Sequence, residues 1–136
     1  MKNKFVIFLL ILWGCSPAEK KETSTSAPVE SSTLDAKMFK EKLSSEANAV
    51  LLDVRTPGEV AEGIIPGAVI IDFNAPDFTD KISALNKEKT YFVYCKVGGR
   101  SSKTAAQMKE IGFKNVYNLD GGYDAWVESG FETVKP

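Results

Sequence analysis

Apolar residues gather in short blocks along the second two thirds of this chain, with polar stretches between them. Ala49-Val50-Leu51-Leu52-Asp53-Val54, Ala68-Val69-Ile70-Ile71-Asp72-Phe73, Tyr91-Phe92-Val93-Tyr94-Cys95 and Val116-Tyr117-Asn118-Leu119 are rich in β-branched and aromatic residues. Near-continuous apolar runs of this length read as strands buried on both faces. The intervening segments carry helical signals. Ser32-Thr33-Leu34-Asp35 reads as a capping box opening an amphipathic helix, with Leu34, Met38 and Leu43 near one face. Thr56 and Pro57 fit the cap and first turn of a short helix that stops at Gly63. Residues 77–85 read as helical. Ser101 to Ile111 returns to helical spacing through Ala105 and Met108, and Gly112 ends it. Gly121-Gly122 turns the chain into a last helix around Ala125-Trp126-Val127.

Strands alternating with helices predict an α/β domain. Its centre is a mostly parallel sheet of about four to five strands, with helices on both faces. Ligands of such open sheets bind beyond the carboxyl ends of the strands. The most apolar strand ends at Cys95.

The first third of the chain has a different pattern. Lys2 and Lys4 precede an unbroken apolar run from Phe5 to Trp13. That run falls short of the roughly 20 apolar residues a spanning helix needs, and suits the apolar region of a secretory signal. Leu12-Trp13-Gly14-Cys15 resembles a bacterial lipoprotein signal, which implies cleavage after residue 14 and lipidation of Cys15. Residues 15–33 are dominated by Ser, Thr, Pro, Glu and Lys. Such a segment buries too little apolar surface to offset its conformational entropy, and reads as a flexible tether. The expected organisation is therefore a signal over 1–14, a tether over 15–33 and a folded domain over 34–136. The expected location is the bacterial cell envelope, on the periplasmic or outer-membrane side, with the lipid as membrane anchor.

Composition narrows the chemistry. The chain has 136 residues, 17 Lys and Arg against 18 Asp and Glu, and no His. Without His, neither a Ser-His-Asp nor a Cys-His arrangement can be built. Two cysteines alone cannot close a structural zinc site. The balanced charge argues against a nucleic-acid partner recruited by a broad basic face. No metal or cofactor is called for.

Cys95 is the residue with chemical promise. Lys96-Val97-Gly98-Gly99-Arg100-Ser101 follows it and leads into a helix. Glycines let successive N–H groups turn inward as an anion nest, and the helix N-terminus adds partial positive charge. Lys96 and Arg100 add formal charge. All of these favour the thiolate, the nucleophilic form. The sulfur is expected to lie exposed within this ring of amides. A strand-terminal Cys without such a loop would instead be read as core.

The segment Cys95-Lys96-Val97-Gly98-Gly99-Arg100-Ser101 resembles the active-site loop of the rhodanese sulfurtransferase family. Three more segments agree in order: Asp53-Val54-Arg55 with Glu59 downstream, Gly63-Ile64-Ile65-Pro66-Gly67-Ala68, and Asp120-Gly121-Gly122-Tyr123-Asp124-Ala125-Trp126. Ile64 stands where the family has His. The resemblance implies that Cys95 takes sulfane sulfur from a donor such as thiosulfate. The resulting persulfide would pass the sulfur to a thiol or cyanide acceptor, in a ping-pong sequence. The N–H groups of residues 96–101 would stabilise the negative charge. Arg100 would hold an anionic donor through its fork, and Lys96 would assist. Asp53, Arg55 and Glu59 would support the loop, while the Gly121-Gly122 turn and Trp126 would be structural.

Other readings stay open. A rhodanese-like domain can be a docking or sulfur-carrier module without meaningful turnover, and a protein sulfur acceptor is one conceivable partner. The loop from Cys95 through Arg100 has six residues. The resemblance to related phosphatases, whose loop is one residue longer to admit phosphate, is correspondingly weaker. Once Cys15 carries lipid, Cys95 is the only thiol left, so no internal disulfide can form.

Overall fold

The computed structural model describes residues 32–136. The signal over 1–14, Cys15 and all but the last two residues of the expected tether lie outside the described residues. Five strands form one sheet: β1 (Ser32–Leu34), β2 (Ala49–Asp53), β3 (Val69–Ile70), β4 (Thr90–Tyr94) and β5 (Asn115–Leu119). The order is β1-β5-β4-β2-β3, and every pairing is parallel. The helices are α1 (Ala36–Ser45), α2 (Pro57–Val60), α3 (Phe78–Ser83), α4 (Gly99–Glu110) and α5 (Gly122–Glu128).

The central strand explains the layering. All five residues of β4 are buried, and Tyr91 to Tyr94 alternate between two cores. Tyr91 and Val93 pack with Leu52, Met108 and Ile82 on the face covered by α3 and α4. Phe92 and Tyr94 pack with Phe39, Leu51, Leu119 and Trp126 on the face covered by α1 and α5. Each fully buried large side chain of this kind contributes about 1.5–3 kcal/mol. The register Asp53↔Tyr94 places the ends of β2 and β4 side by side. The site is built at those ends.

The sequence pattern and the structure differ in three places. Ser32 and Thr33, expected in the tether, form β1 by pairing with Tyr117 and Asn118. Their backbone pairs in a sheet instead of capping a helix. Asp35 is the N-cap of α1, accepting from the Met38 N–H at 2.8 Å. The buried face of α1 is Ala36 and Phe39, while Met38 points outward and is 54% exposed. The run over residues 68–73 yields only two strand residues, both exposed, because β3 is an edge strand bonded on one side.

Candidate active site

The loop after β4 wraps the Cys95 sulfur. The Gly98 N–H donates to Sγ at 3.1 Å, and the Ser101 hydroxyl donates at 3.3 Å. Gly98 has φ +107°, a left-handed conformation that costs a side-chain-bearing residue but not glycine. That conformation turns its amide inward and starts α4 at Gly99. Burial pushes the thiol pKa up. The Ser101 hydroxyl and the N–H groups of Ser101, Gly98 and Val97 outweigh it, so the net shift is downward. The amide nest expected from the loop is therefore present.

The exposure expected of the sulfur is not. Cys95 is 1% exposed and belongs to the same core cluster as Tyr91 and Val93. Strand alternation is the reason: positions 91, 93 and 95 share one face, and α4 covers it. The sulfur sits at the boundary, with hydrocarbon below and amide donors above.

Three ion pairs surround the loop. Arg100 reaches across 41 residues to Glu59, with Nη1 at 2.8 Å from Oε2 and Nη2 at 2.7 Å from Oε1. Glu59 also accepts from the Thr56 N–H and hydroxyl, both at 2.9 Å, closing the capping box of α2. Its carboxyl is held down from 4.5 to about 2, chiefly by the Arg100 bonds, against burial and with help from Thr56. Arg100 is raised by the same bonds, and the Cys95 sulfur also acts on it. The fork expected to hold a donor is thus occupied by a carboxylate. Lys96 is likewise committed: its ammonium donates to Asp124 at 3.1 Å on the surface, with both side chains about half exposed. Val97 contributes its amide to the sulfur and leaves its side chain 63% exposed.

The third pair is fully buried. Arg55 and Asp53 meet at 2.7 Å with side chains 2% and 0% exposed. Arg55 also donates to the Gly63 carbonyl at 2.7 Å and the Glu59 carbonyl at 3.3 Å, and its guanidinium lies 4.1 Å from the Tyr123 ring centroid. A buried pair persists only when its remaining donors and acceptors are satisfied, and here they are. Glu59 reaches the loop through Arg100, whereas Asp53 and Arg55 bond to each other and to the Glu59 and Gly63 carbonyls, and none of the three has a hydrogen bond to the sulfur. Tyr94 and Tyr123, which close this network over Arg55, carry no signal in the sequence beyond being aromatic.

From the other side, α5 clamps the loop. The Tyr123 N–H donates to the Cys95 carbonyl at 2.8 Å, and the Asp124 N–H donates to the Lys96 carbonyl at 3.1 Å. Gly122 makes this approach possible, since a Cβ there would stand 2.5 Å from the Lys96 carbonyl oxygen. Trp126 is structural, buried and donating from Nε1 to the Glu132 carbonyl at 2.8 Å. Ile64 makes only apolar side-chain contact, 8% exposed, while its backbone bridges Val134.

A cysteine cradled by amides at the end of a central parallel strand suits nucleophilic chemistry that needs no general base. The chain is similar to several known proteins. A sulfurtransferase from Allochromatium vinosum is 31% identical over 103 residues, covering 76% of this chain and 94% of its own. The thiosulfate sulfurtransferase GlpE of Stutzerimonas stutzeri is 38% identical over 81 residues, covering 59% of this chain and 72% of its own. A crystal structure of a rhodanese-related protein from Thermoplasma volcanium superposes with a TM-score of 0.68 at 27% identity, over 77% of this chain and 99% of that one. The sequence profile of the Rhodanese-like domain matches residues 35–129, from the cap of α1 through α5 and including the Cys95 loop, and this chain therefore belongs to the rhodanese-like domain family.

Proposed function

We propose that the protein is a sulfurtransferase that carries sulfane sulfur on Cys95. The observation behind this reading is the convergence of the Ser101 hydroxyl and the Gly98 N–H on the sulfur. Family membership and sulfurtransferase relatives support the same reading. In the first half-reaction the Cys95 thiolate attacks the outer sulfur of a donor, thiosulfate being one. The donor's S–S bond breaks, and sulfite leaves with the electron pair. In the second half-reaction a thiol or cyanide takes the outer sulfur, and the Cys95 thiolate returns. The amides of the nest stabilise the negative charge in both states without moving. The Leu12-Trp13-Gly14-Cys15 segment supports placing this chemistry at the envelope, on a lipid anchor at Cys15.

The test is intact mass after exposure to a sulfane-sulfur donor. The full chain should gain the mass of one sulfur atom, and Cys95→Ser should gain none while keeping its circular dichroism. Release of that sulfur to cyanide or thiol over many cycles marks an enzyme. A single loading with slow release marks a carrier, and no loading sinks both.

A further inference from the structure

Helix α5 grips the Cys95 loop through backbone groups. The first amides of a helix have no partner within it and are free to bond elsewhere. In α5 the Tyr123 N–H goes to the Cys95 carbonyl at 2.8 Å and the Asp124 N–H to the Lys96 carbonyl at 3.1 Å. A trans peptide is planar, with its C=O and N–H pointing opposite ways. The peptide that carries the Lys96 carbonyl also carries the Val97 N–H. Drawing that carbonyl toward α5 turns the Val97 N–H the other way, toward the sulfur, to which it is a donor. Arg100 acts on the sulfur too, by charge and by a side-chain hydrogen bond, but its own partner Glu59 lies on α2.

The start of α5 is weakly held by its own residues. Its N-cap is Gly121, with no side-chain cap. The Lys96–Asp124 pair is about half exposed, and such pairs contribute little. Tyr123 supplies the anchor. Arg55 Cζ lies 4.1 Å from the centroid of its ring, and the ring stacks on Tyr94 with centroids 6.4 Å apart. A cation over an aromatic face is held most strongly where water is excluded, and Arg55 is buried. Arg55 is fixed in turn by bonds to Asp53 and to the Gly63 and Glu59 carbonyls. The Tyr123 hydroxyl packs on Gly63, where a Cβ would stand 2.6 Å from it.

We propose that Tyr123 is a positioning residue for the nucleophile: its ring, seated on Arg55, fixes the first turn of α5, and the Asp124 amide then keeps the Val97 amide aimed at Cys95. The proposal concerns ionisation of the thiol, and rests on the persulfide reading above for its bearing on sulfur transfer.

The experiment is the alkylation-rate profile of Cys95 against pH in the full chain, read by mass on the peptide that carries Cys95, with denaturant unfolding alongside. Tyr123→Leu removes the aromatic face. It should raise the midpoint by about half a pH unit, which lowers the thiolate fraction about threefold at pH values below it. Tyr123→Phe keeps the face and should leave the midpoint in place. Trp126→Phe loosens α5 from its buried side by losing the bond to the Glu132 carbonyl, and should cost stability without moving the midpoint. An unmoved midpoint in Tyr123→Leu overturns the proposal, and so does an equal rise in Tyr123→Phe or Trp126→Phe. Should Tyr123→Leu not fold, Tyr123→Met takes its place and is read the same way. Sulfur loading is followed separately by intact mass. If the unaltered protein loads none, the persulfide reading has failed, whatever the alkylation profiles show.

Discussion

The Ser101 hydroxyl donates to the Cys95 sulfur at 3.3 Å from a side chain with no solvent exposure. The same oxygen lies 3.2 Å from the Gly98 carbonyl, so its single proton has two possible acceptors. A charged acceptor makes the stronger hydrogen bond, and an ionised sulfur takes the proton. Ser101 therefore adds to the backbone nest a side-chain donor that responds to the state of the sulfur.

Ser101→Ala tests this directly. The amides of Val97, Gly98 and residue 101 remain, while the largest contribution that lowers the thiol pKa is lost. The midpoint of the alkylation-rate profile should move up toward the ordinary free-thiol value of about 8.5. Sulfur loading at neutral pH should slow about tenfold, in line with loss of a hydrogen bond to a charged group. An unmoved midpoint would show that the amides alone ionise the sulfur.

Acid should weaken the protein partly through Glu59. Its folded-state carboxyl is held near 2 instead of 4.5, so between these values the unfolded chain binds more protons than the folded one. The stabilisation is fully present above 4.5 and is lost as pH falls toward 2. With both partners a quarter exposed, solvent screening leaves on the order of 1–2 kcal/mol. Denaturant unfolding at about pH 6 and about pH 3 should show a larger loss for the unaltered protein than for Glu59→Gln. Equal losses would place the acid sensitivity elsewhere.

Gly122→Ala should damage both stability and reactivity. Its φ of +59° costs a side-chain-bearing residue about 1–2 kcal/mol. The new Cβ would also stand 2.6 Å from the Cys95 carbonyl oxygen, which is backbone and cannot swing aside. Unfolding should move to lower denaturant by at least about 2 kcal/mol, and alkylation of Cys95 should show a raised midpoint as the loop shifts. Gly58→Ala, inside α2 where nothing lies within 4 Å, serves as the control and should leave the midpoint unmoved and stability unharmed, with a gain of up to about 1 kcal/mol from helix propensity.

Most of the architecture was legible because its signals are local. Thr56 does cap α2 and Pro57 does open it, with Glu59 completing a capping box that the structure adds. Gly98 does break the chain into the left-handed turn that aims an amide at the sulfur. Ser32 and Thr33 were not legible as strand. Their place beside Tyr117 and Asn118 depends on an edge some 85 residues away in the chain, and their composition is that of a linker.

By itself the sequence determined a parallel α/β sheet and a cysteine at the end of its most apolar strand, followed by a loop of amide donors. Strand alternation, helix caps and glycine placement are properties of neighbouring residues, and neighbours are what a sequence records. Only the tertiary structure decided how the charges near that cysteine are spent. Arg100 and Lys96 read as free cations until folding brings Glu59 and Asp124 against them from 41 and 28 residues away. It also closed α4 over the sulfur. A charge acts on a ligand only to the extent that its own partners leave it available, and those partners are chosen by the fold.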